Sequence, residues 1–482
     1  MKISQKTLSQ IHNPMVSVPT YNRNDLGCSI VHIGLGHFHR SHFLTYVDSL
    51  LNQGDCFTGV FEVDVVPSNL AFIDALHGQD WLYSVLSLGA DGREALRING
   101  PILGYENASI NPQKVLSLLV SPQVTLITLT ITEKGYYYDD EAHCLNTESK
   151  QVLSDLTTDA YPQTAVGLLS AALVERAKTN SPITIMSCDN IPENGSVLHV
   201  CVLDFCKRKY PQSVQWINEN VSFPCTMVDR ITPSTTGADI EKLANDWGIE
   251  DACPVHCEDF MQWVIEDSSS TDIPDFSKVG ALFVDDVKPY ELMKIRLLNG
   301  SHSALSYPAY LMGIRSVDEA AANPLIHSFI RNRYMEEITK TLLPLEGIDL
   351  IAYKNQLISR FSNAHIKDTV LRLASDGSKK IANAIIPPLF ETIEHGYPHT
   401  SLIFALAAWR RFCTGQDEQG NPITVDDPHA ENLTRSATEE PSSFLAIIGL
   451  QNLPKSDVAL FCEFCEQIES FGMKHALERF LM

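Results

Sequence analysis

The pattern of apolar and polar positions changes period once along this chain, near residue 285. Before that point, short apolar runs alternate with stretches of helical spacing. Residues 29–36, Ser-Ile-Val-His-Ile-Gly-Leu-Gly, are one such run and end in glycines. Phe43, Tyr46, Val47, Leu50 and Leu51 then recur at the spacing of one helix face, so the segment predicts strand, tight turn, helix. Further strands are expected over 59–66, over the β-branched run 124–131, and over 183–187, the last followed by Cys188-Asp189-Asn190. Helical patterns lie between them, for example over 165–178. Strands alternating with helices imply a parallel sheet covered on both faces, with ligands bound past the strand ends. After Pro289 the period is helical, over about 290–312, 323–342, 351–361, 367–374, 399–414 and 456–480. Polar loops are expected at 267–271 and 434–443. The organisation read from this is an α/β domain with a parallel-rich sheet over residues 1–285 and a mainly α-helical domain over 286–482. An active site would lie in the cleft between them.

Composition narrows the class. A chain of 482 residues is too long for one ordinary core, and 44% hydrophobic residues suffice to build two. The net charge of -23 argues against nucleic acid and anionic membrane as partners. No apolar run approaches the length of a membrane span, and the first residues carry no apolar leader, so a cytoplasmic protein is expected. The 12 cysteines are scattered. Cys253-Pro-Val-His256-Cys257 and Cys462-Glu-Phe-Cys465 each lack the second ligand pair that zinc requires. They read as buried reduced thiols, with no metal site expected.

The turn after the first strand is Gly34-Leu35-Gly36-His37-Phe38-His39-Arg40. Its first two glycines allow a tight turn and close approach of backbone to a pyrophosphate, with a helix N-terminus behind. The third glycine of the dinucleotide fingerprint is absent, since position 39 is His. An acid at the end of the second strand would take the ribose hydroxyls, and Glu62 and Asp64 are the candidates. Asp64 is preferred, being nearer the strand end. Such an acid repels a 2′-phosphate and favours NAD over NADP.

Candidate chemistry concentrates in Pro289-Tyr-Glu291-Leu-Met-Lys294-Ile-Arg-Leu-Leu-Asn299-Gly-Ser-His302. Taking Lys294 as zero and about 100° per helical residue, Asn299 falls near 140°, His302 near 80° and Glu291 near 60°. Four polar groups share one arc. Such a set matches alcohol oxidation: a lysine with a pKa lowered by desolvation can be the base, asparagine amides can cradle the developing oxyanion, and a histidine can orient the hydroxyl. The same spacing also suits a plain polar face on which Lys294 pairs with Glu291 and Asn299 is merely exposed.

Several stretches together resemble the mannitol dehydrogenase family of polyol-specific long-chain dehydrogenases, which includes fructuronate (mannonate) reductases. They are Gly34-x-Gly36-x-Phe38-His39-Arg40-x-His42, residues 129–136 (Leu-Thr-Ile-Thr-Glu-Lys-Gly-Tyr), Met186-Ser-Cys-Asp-Asn190, residues 227–233 (Met-Val-Asp-Arg-Ile-Thr-Pro) and Lys294-x5-Asn299-x2-His302. The resemblance runs from Ile30 to about residue 470. It implies a Rossmann-type first domain, NAD as cofactor, and metal-independent chemistry. Lys294 would be the general base, Asn299 and Asn190 the oxyanion hole, His302 the ligand of the reacting hydroxyl, and Glu291 a group on the proton exit path. Asp229 would touch substrate hydroxyls, and Arg372 and Lys380 would reach the substrate's far end. Gly34, Gly36, Phe38, His39, Arg40, Thr132 and Glu133, with Asp64 or Glu62, would hold the cofactor. Some family members carry an acidic pair after the second strand, where Ser68 and Asn69 stand here.

The substrate implied is a small sugar acid or polyol. Mannitol dehydrogenases tend to read Thr-Glu-Gly-Gly-Tyr and Lys-Ile-Gly. This chain has Lys134 and Arg296 at those places and Phe223-Pro-Cys-Thr-Met227 nearby, as sequences resembling fructuronate reductases do. D-Mannonate and D-fructuronate are therefore expected, with Lys134 supplying local positive charge. Mannitol or arabinitol is the alternative. A non-catalytic nucleotide-binding sensor is a third reading, against which the complete set Lys294, Asn299, His302 and Asn190 argues.

Overall fold

The computed structural model describes residues 1–66 and 69–482, and the chain divides into two compact units. The first comprises residues 1–89 and 93–288, the second 90–92 and 289–482.

The first unit is built on a six-stranded sheet. Its strands are β1 (Gly27–Ile33), β2 (Thr58–Asp64), β3 (Ile102–Asn107), β4 (Leu126–Leu129), β5 (Ile183–Ser187) and β6 (Val221–Ser222). Every pairing is parallel, and the order is β3-β2-β1-β4-β5-β6. That is the doubly wound order of dinucleotide-binding sheets, which makes this a Rossmann-type domain. Leu126–Leu129 and Ile183–Ser187 are buried throughout, as strands covered on both faces must be. Helix Ala165–Thr179 covers one face. Near its C-terminus the fully buried Arg176 donates to the carbonyls of Leu119, Ser121 and Val124 at 2.7–2.8 Å and of Ser181 and Pro182 at 3.3 Å. One guanidinium thus satisfies the loop carbonyls leading into β4 and β5.

Two smaller sheets were not evident in the sequence. One joins Val16–Ser17, Glu94–Asn99, Tyr83–Leu88 and Val255–Glu258; the other joins Thr226–Asp229, Gln262–Glu266 and Leu282–Val284. They place Cys253 and Cys257 in the core, where their thiols meet the carbonyls of Phe72 and Leu86. All 12 cysteines are free thiols.

The second unit is mainly helical. Helices Gly300–Leu311 and Thr400–Cys413 are buried on nearly all sides, and such helices belong in the middle of a bundle. They form the heart of its core. The expected polar loop at 434–443 is largely helical instead: Ala430–Ala437 and Pro441–Ile447 bury Leu433, Ala437, Phe444 and Leu445. The expected helix at 456–480 breaks at Gly472, whose φ of 83° ends Lys455–Phe471 before Met473–Leu481 begins. Among the described residues, no helix is long and apolar enough to cross a membrane.

Replacing Arg176 by Met should lower stability by about 3 kcal/mol or more, because several buried carbonyls lose their donor at once. Urea midpoints measure this; a loss below about 1 kcal/mol would show that water takes over those carbonyls.

Candidate active site

The turn after β1 has the geometry its glycines suggest. Gly34 has φ of 110°, and a Cβ there would stand 2.1 Å from the Thr130 carbonyl oxygen. Gly36 faces open space and precedes the short helix His37–Ser41. Backbone can therefore be approached closely at Gly36, while Gly34 is required by its own fold. The carboxylate of Asp64, at the end of β2, accepts the Leu35 N–H at 3.2 Å and the Tyr105 hydroxyl at 3.0 Å. Asn69 caps helix Leu70–His77 through the Phe72 N–H; Ser68 lies outside the described residues.

Three of the expected cofactor residues point elsewhere. Glu62 is fully buried and bonds His39 Nε2 at 2.9 Å, so it has no surface to offer a ribose. His39 is equally buried, its ring stacked on His32 with centroids 3.3 Å apart. Burial drives His39 down and Glu62 up, each toward its neutral form. Arg40 turns inward to the Cys253 carbonyl at 2.6 Å and lies over the rings of Phe72 and Tyr83. For His39 and Arg40, only backbone remains to serve a ligand at the turn. Phe38 is half-buried and stacks on His42. Among the described residues, His32, His39 and Glu62 are also the one trio of metal-capable side chains close enough to share an ion. Both nitrogens of His32 are already hydrogen-bonded, to Thr128 and to Thr130 and Gly34. In stacked rings the in-plane lone pairs run side by side rather than converging, so the trio is a packed stack.

Past the ends of β4 and β5, one carboxylate ties two loops. Asp189 accepts the N–H groups of Ile131 and Thr132, both at 2.9 Å, and the Tyr136 hydroxyl at 2.6 Å. Thr132 is held at φ 61°, ψ 163°, a region otherwise left to glycine. Thr132, Glu133 and Lys134 are exposed beside this clamp, and so is Asn190. Asn194 fixes the second loop from beneath, donating to the carbonyls of Asp189 and Thr226 at 3.0 Å. Asp229 is buried at the end of Thr226–Asp229.

In the second unit the expected α-helix is interrupted. Lys288–Met293 and Gly300–Leu311 are α-helical, but Lys294–Asn299 between them is a π-turn. The Gly300 N–H reaches the Ile295 carbonyl, five residues back. The five steps from Lys294 to Asn299 therefore complete little more than one turn, and the two residues stack. Three α-helical steps then bring His302 round to the same line. The 140° offset expected for Asn299 assumed an unbroken α-helix and is corrected by this insertion. Lys294 and Glu291 are each only 7% exposed, while Asn299 and His302 are half-buried.

His302 stands near the ring of Phe361, with centroids 4.7 Å apart. Burial pushes its imidazole down to about 3; Arg372, Arg360 and Lys380 push the same way and Asp368 opposes them. His302 is thus a neutral hydrogen-bonding group at physiological pH. The structure brings Arg372 and Lys380 into its surroundings. Arg372 makes a two-pronged pair with Asp368, and Lys380 bonds the Leu373 carbonyl at 3.0 Å. The Arg296 side chain is fully engaged inside its own unit. Its guanidinium is held by Glu391 at 2.5 and 2.7 Å and by the Thr341 carbonyl at 2.7 Å.

Two family models match the chain. The mannitol dehydrogenase Rossmann domain covers residues 28–278 and the mannitol dehydrogenase C-terminal domain covers 286–471. The chain belongs to the mannitol dehydrogenase family. A mannitol 2-dehydrogenase of Aspergillus oryzae is 38% identical over 97% of this chain and 95% of its own length. The D-mannonate oxidoreductase of Escherichia coli is 37% identical over 94% of each. Among solved structures, the Pseudomonas fluorescens mannitol 2-dehydrogenase, a ternary complex with NAD and D-mannitol, superposes with a TM-score of 0.87. It shares 36% identity and covers 100% of this chain and 99% of that one. Mannitol dehydrogenase family proteins are oxidoreductases acting on CH–OH groups, and this chain is one.

Within this family member, several residues of consequence carried little sequence signal. Asp368 lies four residues before Arg372, and that spacing alone suggests their pairing. Asp189 sits inside the matched Met186–Asn190 stretch but reads as one more polar residue at a strand end. Nothing in the pattern of 330–340 marks Tyr334.

The neutral state of His302 has a consequence for stability. Its pKa falls from the ordinary 6.5 to about 3 on folding, so the unfolded chain takes up the proton first as pH drops. The associated stability is present above about pH 6.5 and is lost progressively toward about pH 3. His302→Asn should lose less stability than the parent between about pH 7 and about pH 4.5, in urea midpoints. Equal losses would show that the imidazole charges freely in the folded protein.

Proposed function

We propose that this protein interconverts a secondary alcohol and a ketone on a sugar-derived substrate, with NAD as cofactor and D-mannonate and D-fructuronate as the favoured pair. The observation that carries the reading is the π-turn, which lines up Lys294, Asn299 and His302 on one side of a buried helix. Lys294 takes the hydroxyl proton as general base, and Glu291, one helical turn before it, lies on the exit path of that proton. Asn299 and Asn190 donate to the oxyanion that develops on the reacting oxygen. Neutral His302 orients the hydroxyl. Asp229 binds substrate hydroxyls, and Arg372, Lys380 and Lys134 serve the far end. The lysine does the work a Lewis-acid metal does elsewhere, so no metal enters the mechanism.

The open backbone at Gly36, with Asp64 at the end of β2 and Thr132 and Glu133 past β4, fits a dinucleotide. NAD, when bound, supplies the hydride acceptor. Asp64, with Glu62 buried against His39, is the acid that disfavours a 2′-phosphate, and the solved relative that holds NAD agrees with this cofactor.

The sugar-acid reading draws on local charge. Three cations, Arg360, Arg372 and Lys380, act on His302 against one acid, Asp368, in a protein of net charge -23. Screening over about 8 Å mutes distant acids but not charges inside a site. The relative named D-mannonate oxidoreductase is consistent with this. A second reading, mannitol and fructose, is favoured by the pairing of Arg372 with Asp368, which leaves less positive charge for a carboxylate. Arg296, neutralised by Glu391, does not decide between the two.

Lys294→Ala should slow the chemical step by about a thousandfold while NADH binding, read by fluorescence, survives. Near-normal turnover would make the lysine structural. With NADH, kcat/KM for D-fructuronate should exceed that for D-fructose by at least about tenfold. Lys134→Met should raise KM for the acid far more than for the neutral ketose. If fructose is reduced at least as efficiently as fructuronate, the polyol reading replaces the sugar-acid one.

A further inference from the structure

A π-turn is an unfavourable insertion in a helix and persists only where something outside the helix holds it. Here the cost falls on one backbone group. In an α-helix the Gly300 N–H would bond the carbonyl of Arg296, four residues back. It bonds Ile295 instead. The Arg296 carbonyl accepts from the buried Tyr334 hydroxyl, at 3.2 Å. That hydroxyl reaches the helix only because residue 300 has no side chain: a Cβ on Gly300 would stand 2.0 Å from the Tyr334 oxygen. Tyr334 itself ends a second π-turn, Ile330–Tyr334, in which the Met335 N–H reaches the Ile330 carbonyl. Arg296 is therefore pinned at both ends, its carbonyl by Tyr334 and its guanidinium by Glu391 and Thr341.

We propose that Tyr334 and Gly300 are positioning residues for the reaction. The Tyr334 hydroxyl, admitted by the bare Cα of Gly300, takes the place of the missing helical hydrogen bond and holds the π-turn that stacks Asn299 on Lys294. Neither residue touches substrate; both act through the backbone of the segment that carries the base and the oxyanion donor. The inference rests on the reading of Lys294 and Asn299 given above.

Tyr334→Phe keeps the ring and removes only the hydroxyl. With D-fructuronate or D-fructose reduced by NADH, it should lower kcat by about 10- to 100-fold, since small misplacements of reacting groups cost that much. KM for both substrates should stay within about twofold, and the pH dependence of kcat should shift as the base is displaced. Gly300→Ala should give the same kcat loss by pushing the hydroxyl away. The double variant should be no slower than the slower single, because both changes remove one interaction. A Tyr334→Phe enzyme that is less heat-stable but keeps the parent's kcat and pH profile would overturn the proposal. So would fully additive losses in the double variant. Lys294→Ala assayed alongside separates the two levels. If it keeps turnover, the catalytic reading fails; if it is inactive while Tyr334→Phe behaves as the parent, only the positioning role fails.

Discussion

A buried helix that carries several polar groups on one side faces a geometric limit. Residues five and eight positions apart do not lie on one line of an α-helix, and every polar group turned the wrong way is a buried liability. Inserting one residue into a single turn removes the conflict between Lys294, Asn299 and His302. Much of the helical unit can be read as a consequence. Gly300 has to be bare, Tyr334 has to arrive from a neighbouring helix that itself carries one extra residue in a turn, and the Arg296 side chain is anchored on Glu391. The arrangement exchanges a helical hydrogen bond for a tertiary one and spreads its upkeep over several helices.

The nucleotide-binding unit solves its positioning problem differently. There the sheet itself sets the line of the ligand, and the polar groups hang on loops past the strand ends. Loops are the mobile part of such folds, so each needs a tether. Asp189 provides one for residues 131–132 and so keeps Thr132 in a conformation that its β-branched side chain resists. Asp64 provides another, binding the turn at Leu35 from the neighbouring strand. A carboxylate that satisfies backbone amides is a rigid support because both partners are fixed by the sheet.

What could be read from the sequence follows from where the information is local. The strand-turn-helix around Gly34, the strand Ile183–Ser187 and helices such as Leu350–Phe361 and Thr400–Cys413 each rest on a run of periodic residues, and they appear where that periodicity puts them. The strands Tyr83–Leu88 and Val255–Glu258 pair across a gap of more than a hundred residues and show no clean alternation, so pattern alone did not reveal them. The helix Ala430–Ala437 is mostly polar in composition, so its second half reads as loop from the sequence; its few apolar residues matter because of what they pack against. At the candidate site, residue types and spacing single out Lys294, Asn299 and His302, which the structure places within two helical turns of one another. The inserted turn was hidden, because nothing in Lys-Ile-Arg-Leu-Leu-Asn distinguishes it from α-helix; its cause, Tyr334, is a tertiary neighbour. Glu62 misled for a related reason. An acid at a strand end looks available until a histidine from the adjoining helix is seen to occupy it.

The stack of His32, His39 and Glu62 has an implication for how this turn can change over time. In glycine-fingerprint proteins, the third glycine lets helix and strand approach directly. Here that space is filled by an imidazole resting on a second imidazole and capped by a carboxyl group, all without solvent contact. No member of the trio is replaceable alone: removing one ring leaves a void, and removing the acid leaves a ring nitrogen without its bond. Positions 32, 39 and 62 should therefore vary as a linked set among descendants of this fold, passing between viable states only through concerted exchange.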